Sequence, residues 1–446
     1  MRAYHILSEL YGDVRGWRRG RIRREVAAAA RLATEELAAR AARLFERRVR
    51  DALARFPLYA ETVRAARGAL PGETDAIRAE ELPVWTRGDQ RRLFEQLAGP
   101  PVRGSFVHST GGSSGVPLRF HITRDSYEWR DAVADRGYGW AGAEDGRRSL
   151  YVWGTPIFSP RRLVRLKQEV HHRLQARRFF DSFRFGPAEK EACCRAINRF
   201  RPEAIVGYAG NLAELARFAR DNPGAVEWRA AAVVTAAEGL LPGQRELIEG
   251  QLGGRVFQSY GSREFRLIGM ECRERNGYHL ASDNLLVEAV DARGRPSPPG
   301  ETGRIVITDL RNDAAPFVRY EIGDLGAMAD PRGRCPCGLP FPLLARLDGR
   351  TQEVILTPGG QRMTALFIPH LMKEFPWVEG YQLVQNERDA LLVNLILDGD
   401  LSPSRTAPIE QQLHARLGPD ILIAFAQVDR LQKNQSGKTP IVVANP

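Results

Sequence analysis

The chain has 446 residues, of which 43% are hydrophobic and 27% charged, a composition typical of globular proteins. This length is too great for a single hydrophobic core, so we expect two or three domains. No apolar run is long enough to span a membrane, and residues 1–17 contain no apolar signal-peptide region. We therefore expect a cytoplasmic protein without an integral membrane segment.

The net charge of +11 comes largely from two basic segments, residues 15–24 and 161–178. In the second segment, aliphatic side chains share one face of a predicted helix and arginines cover the rest. Such a helix can bind an anionic partner, but we favour a solvated helix face. Neither segment has the interleaved aromatic residues of a single-strand-binding groove, so no nucleic acid is expected as a partner.

The first half of the chain changes from helical segments to alternating strands and helices. Residues 23–55 have helical spacing and predict one long helix or two, whereas proline and glycine punctuate residues 57–104. From about residue 149 the alternation predicts a mainly parallel sheet flanked by helices. The predicted strands are 149–153, 203–207, 231–235 and 255–259, and the predicted helices are 187–200, 211–221 and 242–252.

After about residue 280 the chain becomes rich in predicted strands, including NLLVEAVD, GRIVITDL and FVRYEIGD. The last hundred residues predict a small α+β domain with a helix near 404–417. The predicted fold class is α/β. We expect a large domain, 1–348, with helix-flanked sheets and a β-rich part at about 270–345. A small mobile α+β domain, 349–446, would follow it.

Two loops in the large domain contain residues suited to nucleotide chemistry. Residues 109–117 read STGGSSGVP, in which glycines expose backbone amides and hydroxyls add donors for phosphate oxygens. The loop lacks the Gly-Lys-Ser/Thr end of a Walker A sequence. In QSYGSRE, after a predicted strand, Tyr260 can stack on adenine and Glu264 can hold Mg²⁺. Taken alone, the first loop is more often an ordinary loop, and the second is also compatible with a surface turn.

Three later segments extend the pattern. In RYEIGD, residues 319–324, the final carboxylate can accept both ribose hydroxyls. GRTQE, residues 349–353, stands at the predicted domain junction, where a hinge is expected. KNQSGK, residues 433–438, puts a lysine on a Ser-Gly turn, from which it can deliver a point charge to a phosphate or carboxylate.

In this order and spacing, the five segments resemble the adenylate-forming superfamily of acyl-CoA synthetases and adenylation domains. The likeness is greatest to the branch of phenylacetate–CoA ligases and CapK-like capsule-biosynthesis adenylyltransferases. TGGSSGVP, YGSREF and RYEIGD match the loop and the two motifs of that branch, and LPVWTRGDQ at 82–90 also matches. The resemblance runs from about residue 57 to 438, and it implies the adenylate-forming enzyme fold.

The resemblance implies a role for each matching residue. Lys438 would bridge the substrate carboxylate and the α-phosphate, and Glu264 would ligate Mg²⁺. Trp153, Phe158 and Tyr208 would line the acid pocket, and their rings suit an aromatic or flat apolar acid. The ATP-binding residues would be Thr110, Gly111, Gly112, Ser113, Ser114, Gly115, Ala237, Glu238, Ser259, Tyr260, Gly261, Ser262, Asp324 and Arg350.

The implied reaction is ATP-dependent formation of an acyl-AMP and pyrophosphate, followed by acyl transfer to a thiol, as in an aryl- or acyl-CoA ligase. The same first step serves enzymes whose acceptor is a carrier protein, an amine or a hydroxyl, or that transfer AMP itself, and the sequence does not separate them. A non-catalytic nucleotide-binding relative is disfavoured because Glu264, Asp324 and Lys438 are all present. A homodimer is common among such enzymes.

The five cysteines are too sparse for a disulfide framework. Cys193 and Cys194 lie on a predicted helix and are expected in the core. The other three cysteines and a histidine make up a Cys₃His set for structural zinc, which the resembled branch often carries. Its members are Cys272, His279, Cys335 and Cys337. The alternative is scattered free thiols and a surface histidine, and we favour the zinc site.

Overall fold

The computed structural model describes most of the chain, and helices and strands alternate along it. The described residues are 18–444 except 73, 98, 111–117, 154–161, 183–184, 242, 351–353, 360–361, 366, 373 and 434–438. They form the α-helices α1 (Arg19–Ala29), α2 (Thr34–Arg55), α3 (Pro57–Arg67), α4 (Arg87–Gln96), α5 (Arg124–Trp140), α6 (Arg162–Leu174), α7 (Pro187–Phe200), α8 (Ala209–Asp221), α9 (Gln244–Leu252), α10 (Phe367–Met372) and α11 (Pro403–Leu417). None of these described helices is both long and apolar enough to cross a membrane.

The strands are short at first and longer after residue 255. They are β1 (Phe106–Ser109), β2 (Arg119–Ile122), β3 (Ser149–Trp153), β4 (Arg177–Asp181), β5 (Ala204–Tyr208), β6 (Ala232–Ala236), β7 (Arg255–Ser262), β8 (Arg266–Glu271), β9 (Tyr278–Leu280), β10 (Leu285–Val290), β11 (Gly303–Asp309), β12 (Tyr320–Met328), β13 (Leu343–Arg350), β14 (Val354–Leu356), β15 (Arg362–Thr364), β16 (Val378–Glu387), β17 (Ala390–Leu397), β18 (Leu422–Gln427) and β19 (Val442–Ala444). The α/β class predicted from the sequence is therefore confirmed.

The chain divides into two compact units, and neither is continuous in sequence. The first unit is built from Met1–Ser149, Pro160–Arg178 and Phe257–Leu347. The second is built from Leu150–Ser159, Phe179–Val256 and Asp348–Pro446. The division at residues 348 and 349 into a large and a small mobile domain stays a prediction.

In the first unit, helices pack against strands paired in the order β10-β11-β12-β13-β9-β8-β7. Antiparallel registers join β10 to β11, β11 to β12, β13 to β9, β9 to β8 and β8 to β7. The core is rich in aromatic rings, and Phe317 meets Phe120 and Tyr320 edge to face, each with ring centres 5.0 Å apart. Helix α2 buries Leu37, Phe45 and other apolar residues one turn apart, as amphipathic spacing requires.

Helix α5 is a difference from the sequence-based expectation, in which no helix stood at this place. It buries Glu128 and Arg130, and both charges are paired. Arg19 bonds the Glu128 carboxylate at 2.6 Å, and Arg130 bonds Asp309 at 2.6 Å. Because these buried charges interrupt its apolar face, the helix shows little amphipathic periodicity. Helices α3 and α4 likewise occupy part of the stretch 57–104, where Pro57 is tolerated because it stands at the first turn.

Two hydrophobic cores are formed by described residues of the second unit. Strands in the order β6-β5-β3-β4 carry one core with α7, α8 and α9, and β5 and β6 are parallel as predicted. Cys193 and Cys194 are buried in this core, as predicted, and burial raises the pKa of Cys194 to about 11. The C-terminal strands, in the order β18-β17-β16-β19, form the other core with α10 and α11.

Arg319 links three parts of the first unit and is itself almost fully buried, at 1% exposure. Its guanidinium donates to both oxygens of Glu288 at 3.2 Å. It also donates to the carbonyl oxygens of Leu82 and Gly294, each at 2.6 Å. Burial is the largest influence on Glu288 and raises the pKa of its carboxyl, while the nearby arginine opposes that rise. Arg319 and Glu288 therefore form a buried ion pair, in which removing either side chain would leave the other charge buried without a counter-charge.

Replacing Arg319 with methionine should lower the free energy of unfolding by about 3–5 kcal/mol, because Glu288 would remain buried without its cation. Urea denaturation followed by circular dichroism measures the change. Adding Glu288→Gln to Arg319→Met should recover part of the loss. Arg293→Met, at an exposed arginine nearby, should stay within about 0.5 kcal/mol of the parent. An Arg319 variant as stable as the parent would contradict this account.

Candidate functional site

The LPVWTRGDQ segment and the RYEIGD motif are joined through the backbone. The amide of Trp85 donates to the carbonyl of Arg319 at 3.0 Å, and the amide of Glu321 donates to the carbonyl of Trp85 at 2.9 Å. Directly afterwards Thr86 caps α4, with its side chain accepting from the Asp89 amide and the Asp89 carboxylate accepting in return. This capping box begins α4 so that Arg87 is its first residue.

Arg87 lies at the centre of a polar cluster. Its guanidinium donates to the Thr110 hydroxyl at 3.2 Å and lies 3.6 Å from a carboxylate oxygen of Glu264. It also bonds the Tyr320 hydroxyl. Burial is the main cause that raises the pKa of this hydroxyl, and the Glu264 carboxylate raises it further, so Tyr320 stays a neutral phenol. Arg87 was missed from the sequence, although it stands in a segment that matched the family.

Tyr260 and Asp324 meet although their strands are far apart in the sheet. The Tyr260 hydroxyl donates to a carboxylate oxygen of Asp324 at 2.8 Å, and both residues are buried. Three strands lie between β7 and β12 in the order of pairing. In a flat sheet the distance between β7 and β12 would therefore be about 19 Å. Since one tyrosine spans the gap, the sheet of the first unit is strongly curved. This hydrogen bond brings the YGSREF and RYEIGD motifs together. Their shared role in nucleotide binding stays a prediction.

The turn between β7 and β8 places the remaining YGSREF residues. The Ser262 hydroxyl accepts from the amide of Phe265 at 3.2 Å, and Ser259 bonds the Tyr138 hydroxyl. Glu264 is 7% exposed, and Arg87 is the cation beside it. The turn therefore presents a nearly buried carboxylate, which Arg87 connects to Thr110.

Other predicted residues lie in the second unit. The rings of Trp153 and Tyr208 face each other with centres 4.3 Å apart, at the carboxyl ends of β3 and β5. Ala237 follows β6 with φ 66°, a left-handed conformation that a non-glycine residue rarely adopts. Such strained backbone is commonly found at functional sites. Beside it, the Glu238 carboxylate accepts from the Gly210 amide at 2.8 Å.

Lys433 and Thr439 stand on either side of residues 434–438, which we call the lysine segment. Both contact this same edge of the second unit. Lys433 bonds the side-chain oxygen of Asn211 and lies 3.2 Å from a carboxylate oxygen of Glu214. On the other side of the segment, the Thr439 amide donates to the Glu238 carboxylate at 2.5 Å. Lys438 immediately precedes Thr439 in sequence. The carboxyl ends of parallel strands are where α/β proteins usually bind ligands.

Seven predicted site residues lie outside the described part of the chain. They are Gly111, Gly112, Ser113, Ser114, Gly115, Phe158 and Lys438. Arg350 ends β13, but its side chain is also outside the described part of the chain.

The predicted Cys₃His set forms a cluster in the first unit. The ligand atoms of Cys272, His279, Cys335 and Cys337 all lie within 4.8 Å of one another. The sulfurs of Cys272 and Cys335 are 3.6 Å apart, close to the spacing of about 3.8 Å around a tetrahedral zinc ion. The imidazole Nδ1 of His279 lies 3.2 Å from the Phe341 carbonyl oxygen, and Nε2 faces the Cys337 sulfur. A proton on Nδ1 leaves Nε2 available as a ligand.

The electrostatics of the cluster suit a bound cation. Burial lowers the pKa of His279, so the imidazole is neutral, as a metal ligand must be. Burial and the neighbouring cysteines raise the pKa of Cys337 to about 12, so without a cation the thiol keeps its proton. Backbone amides of Glu274 and Leu339 point at the sulfurs of Cys272 and Cys337, each at 3.4 Å. The residues therefore fit a structural zinc ion with four protein ligands.

Comparison with known proteins shows that the chain is similar to one group of proteins. Residues 355–445 match the family model of the CapK C-terminal domain. Over 274 residues the chain is 28% identical to a phenylacetate-coenzyme A ligase of Thermus thermophilus, covering 60% of this chain and 59% of the ligase, less than two thirds of its length. It is 26% identical to the Escherichia coli ligase of the same name, over 75% of this chain and 76% of that protein. Protein CapK of Staphylococcus aureus is 20% identical over 82% of this chain and 80% of CapK.

The chain is a homologue of these ligases and of CapK. A solved structure of 2-hydroxyisobutyryl-CoA ligase, in complex with an acyl-AMP in the postadenylation state, superposes with a TM-score of 0.69. That match has 18% identity and covers 92% of this chain and 89% of the ligase. An anthranilate CoA ligase in complex with anthranoyl-AMP superposes with a TM-score of 0.51 and 16% identity, over 75% of this chain and 65% of that one. The phenylacetate-coenzyme A ligase homologue therefore has the fold of the adenylate-forming CoA ligases, as predicted.

Gly261 provides a test of the YGSREF turn. A Cβ atom at this position would lie 2.1 Å from the carbonyl oxygen of Arg266. Gly261→Ala should therefore lower the free energy of unfolding by about 1–3 kcal/mol and weaken nucleotide binding. Thermal unfolding and AMP titration measure the two effects.

Gly250→Ala is the matched control, because a Cβ there has no neighbour within 4 Å and the residue lies in α9. It should stabilise the protein by about 0.5–1 kcal/mol. If the two variants behaved alike, the close approach at Gly261 would not be a constraint.

Proposed function

We propose that this protein uses ATP to convert a carboxylic acid into an acyl-AMP and then transfers the acyl group to coenzyme A. The names of the homologous phenylacetate-coenzyme A ligases and the acyl-AMP complexes of the structural neighbours support the two steps. The observation that carries the proposal is the position of the residues flanking the lysine segment. Lys433 and Thr439 both contact residues at the carboxyl ends of the parallel strands β5 and β6.

In the proposed adenylation, the acid's carboxylate attacks the α-phosphorus of ATP, and pyrophosphate leaves. Both reactants are anions, so positioning and positive charge must lower the barrier. Lys438 would provide one cation between the carboxylate and the α-phosphate. We add Arg87 to the site, because its guanidinium lies beside Thr110 and Glu264 and can pair with a phosphate oxygen.

The other residues would hold the nucleotide. Asp324 would accept from the ribose hydroxyls, with its orientation fixed by the Tyr260 hydroxyl. The Ala237–Glu238 backbone and the Ser259–Gly261 segment would line the adenine. Glu264, a nearly buried carboxylate, fits a Mg²⁺ ion, which would neutralise charge on the phosphate oxygens when bound.

For the acid, we propose an aromatic or other flat apolar group against Trp153 and Tyr208. Their rings pack together at the ends of β3 and β5, with centres 4.3 Å apart and planes inclined by 42°. Coenzyme A is the favoured acceptor because the homologous ligases are named for it, and an amine, a hydroxyl or a carrier protein is the second candidate. The cytoplasmic location and the homodimer stay predictions.

ATP–pyrophosphate exchange with a panel of aryl and fatty acids tests the first step. One or a few aromatic acids should support exchange. Lys438→Ala should lower that exchange about 100- to 1,000-fold, because one preorganised cation is removed. The melting temperature of Lys438→Ala should equal that of the parent, which separates lost chemistry from lost folding. A variant with parental exchange would remove Lys438 from the proposal.

The acceptor is identified by AMP release with the acid that supports exchange. Release that depends on added coenzyme A supports the ligase reaction. Release that depends instead on an amine, a hydroxyl or a carrier protein supports the second candidate. ATP binding without exchange on any acid would favour a non-catalytic nucleotide-binding role.

For the Cys₃His cluster we propose a structural zinc ion, since four protein ligands leave no open position. Protein purified without added zinc should contain about one zinc per chain by elemental analysis. Cys337→Ser should lower the zinc content and the melting temperature together, because one of the four ligands is weakened. Cys194→Ala, which removes a thiol from the other unit, should keep the zinc. Parent protein without stoichiometric zinc would end this proposal.

A further inference from the structure

A cavity of about 260 Å³ lies in the first unit, among α1, α2, α5 and the loop after β11. Five arginines and four carboxylates line it. None of its lining residues belongs to the candidate nucleotide site. Arg18 and Arg21, which come from the basic segment at residues 15–24, are part of its wall.

The four carboxylates of the wall are already paired with arginines. The pairs are Arg18–Asp125 at 3.4 Å, Arg21–Glu25 at 2.9 Å, Arg48–Asp313 at 2.6 Å and Arg55–Asp51 at 3.7 Å. Two further arginines of the wall, Arg47 and Arg311, have no ion-pair partner in the described part of the chain. Arg40 adds another positive charge at Glu25, 3.4 Å away. The surroundings of the cavity therefore have an excess of positive charge.

Arg48 is a buried guanidinium with unused donors. It is 2% exposed and lies on the buried face of α2. One terminal nitrogen donates to Asp313 at 2.6 Å, whereas Nε and the other terminal nitrogen have no hydrogen-bond partner among the described residues. Buried donors are normally satisfied, so a water molecule or a bound acceptor is expected beside these two nitrogens.

Arg311 presents a second guanidinium in a fixed orientation. It stacks on the ring of Trp129 at 3.7 Å, and it donates to the carbonyl oxygen of Asp283 at 3.1 and 3.0 Å. Burial, and next the positive charge of Arg40, lower the pKa of Arg311 to about 10. An anion in the cavity would counter both influences.

We infer that this cavity binds a compact phosphate-type oxyanion, orthophosphate or diphosphate, through Arg47, Arg48 and Arg311. The planar fork of arginine matches phosphate oxygens. The volume of about 260 Å³ is smaller than the 300–1,000 Å³ typical of pockets for drug-sized ligands, which favours a small ion. The site is independent of the proposed adenylation chemistry.

Isothermal titration calorimetry on the full chain tests the inference with sodium orthophosphate and sodium diphosphate. Saturating AMP is present to occupy the proposed nucleotide site, and ionic strength is held constant with sodium chloride. The parent should bind at least one of the two ions saturably, with a Kd below about 1 mM. The ion with the lower Kd identifies the favoured form.

Two variants should weaken that binding about tenfold or more, since each removes a charge-assisted hydrogen bond. They are Arg47→Ala, at an exposed residue whose replacement should leave folding intact, and Arg311→Met, which keeps an apolar contact with Trp129. Arg43→Ala is the matched control. It removes an exposed arginine from the same helix, one turn from Arg47 and outside the cavity wall, and should bind like the parent.

Three results would overturn the inference. The first is no saturable binding of either ion to the parent below about 1 mM. The second is equal weakening in Arg43→Ala and Arg47→Ala, which would indicate general surface charge. The third is binding that is lost in Arg87→Ala but kept in Arg311→Met, which would put the ion in the nucleotide site.

Discussion

The backbone pairing between Trp85 and the Arg319–Glu321 segment determines where the candidate nucleotide site lies. Two hydrogen bonds of 3.0 and 2.9 Å join these distant parts of the chain. The side chain of Arg319 adds a further bond to this backbone pairing, because its guanidinium donates to the carbonyl oxygen of Leu82, three residues before Trp85. Because α4 begins immediately after this junction, Arg87 is carried to Thr110, Glu264 and Tyr320. The contacts among Arg87, Thr110, Glu264 and Tyr320, which come from four stretches of sequence, thus depend on this one backbone pairing.

The second unit positions its polar groups in a different way. Here the charges meet at strand ends, where Glu238 accepts one amide from Gly210 and another from Thr439. Glu214 is shared between Lys433 and Lys190, at 3.2 Å from each. Arg217 and Arg220 both bind Glu379, which adds a link between the helix after β5 and the C-terminal strands. Such shared carboxylates hold Lys433 and Thr439, the residues on either side of segment 434–438.

Periodic and motif signals predicted much of this molecule. The buried runs SLYVW and AAVVT became β3 and β6 because short apolar runs between helices are typical of parallel strands. The motif residues Tyr260 and Asp324 were expected in one site and are hydrogen-bonded. Helix α5 was missed because its buried Glu128 and Arg130 resemble surface residues until their partners Arg19 and Asp309 are known. Arg87 was missed for the same reason, since its role depends on contacts with residues far away in sequence.

The discontinuity of the first unit has a consequence during protein synthesis. Its first segment ends at Ser149, but its last segment, Phe257–Leu347, must leave the ribosome before the unit can close. At about 5–20 residues per second, the roughly 200 residues from Leu150 to Leu347 take about 10–40 s to make. During that interval the Leu82 carbonyl and the apolar face of α2 lack their later partners. A nascent chain of this design is therefore exposed to aggregation longer than one whose domains are continuous, and it is a natural client for chaperones that shield apolar surface.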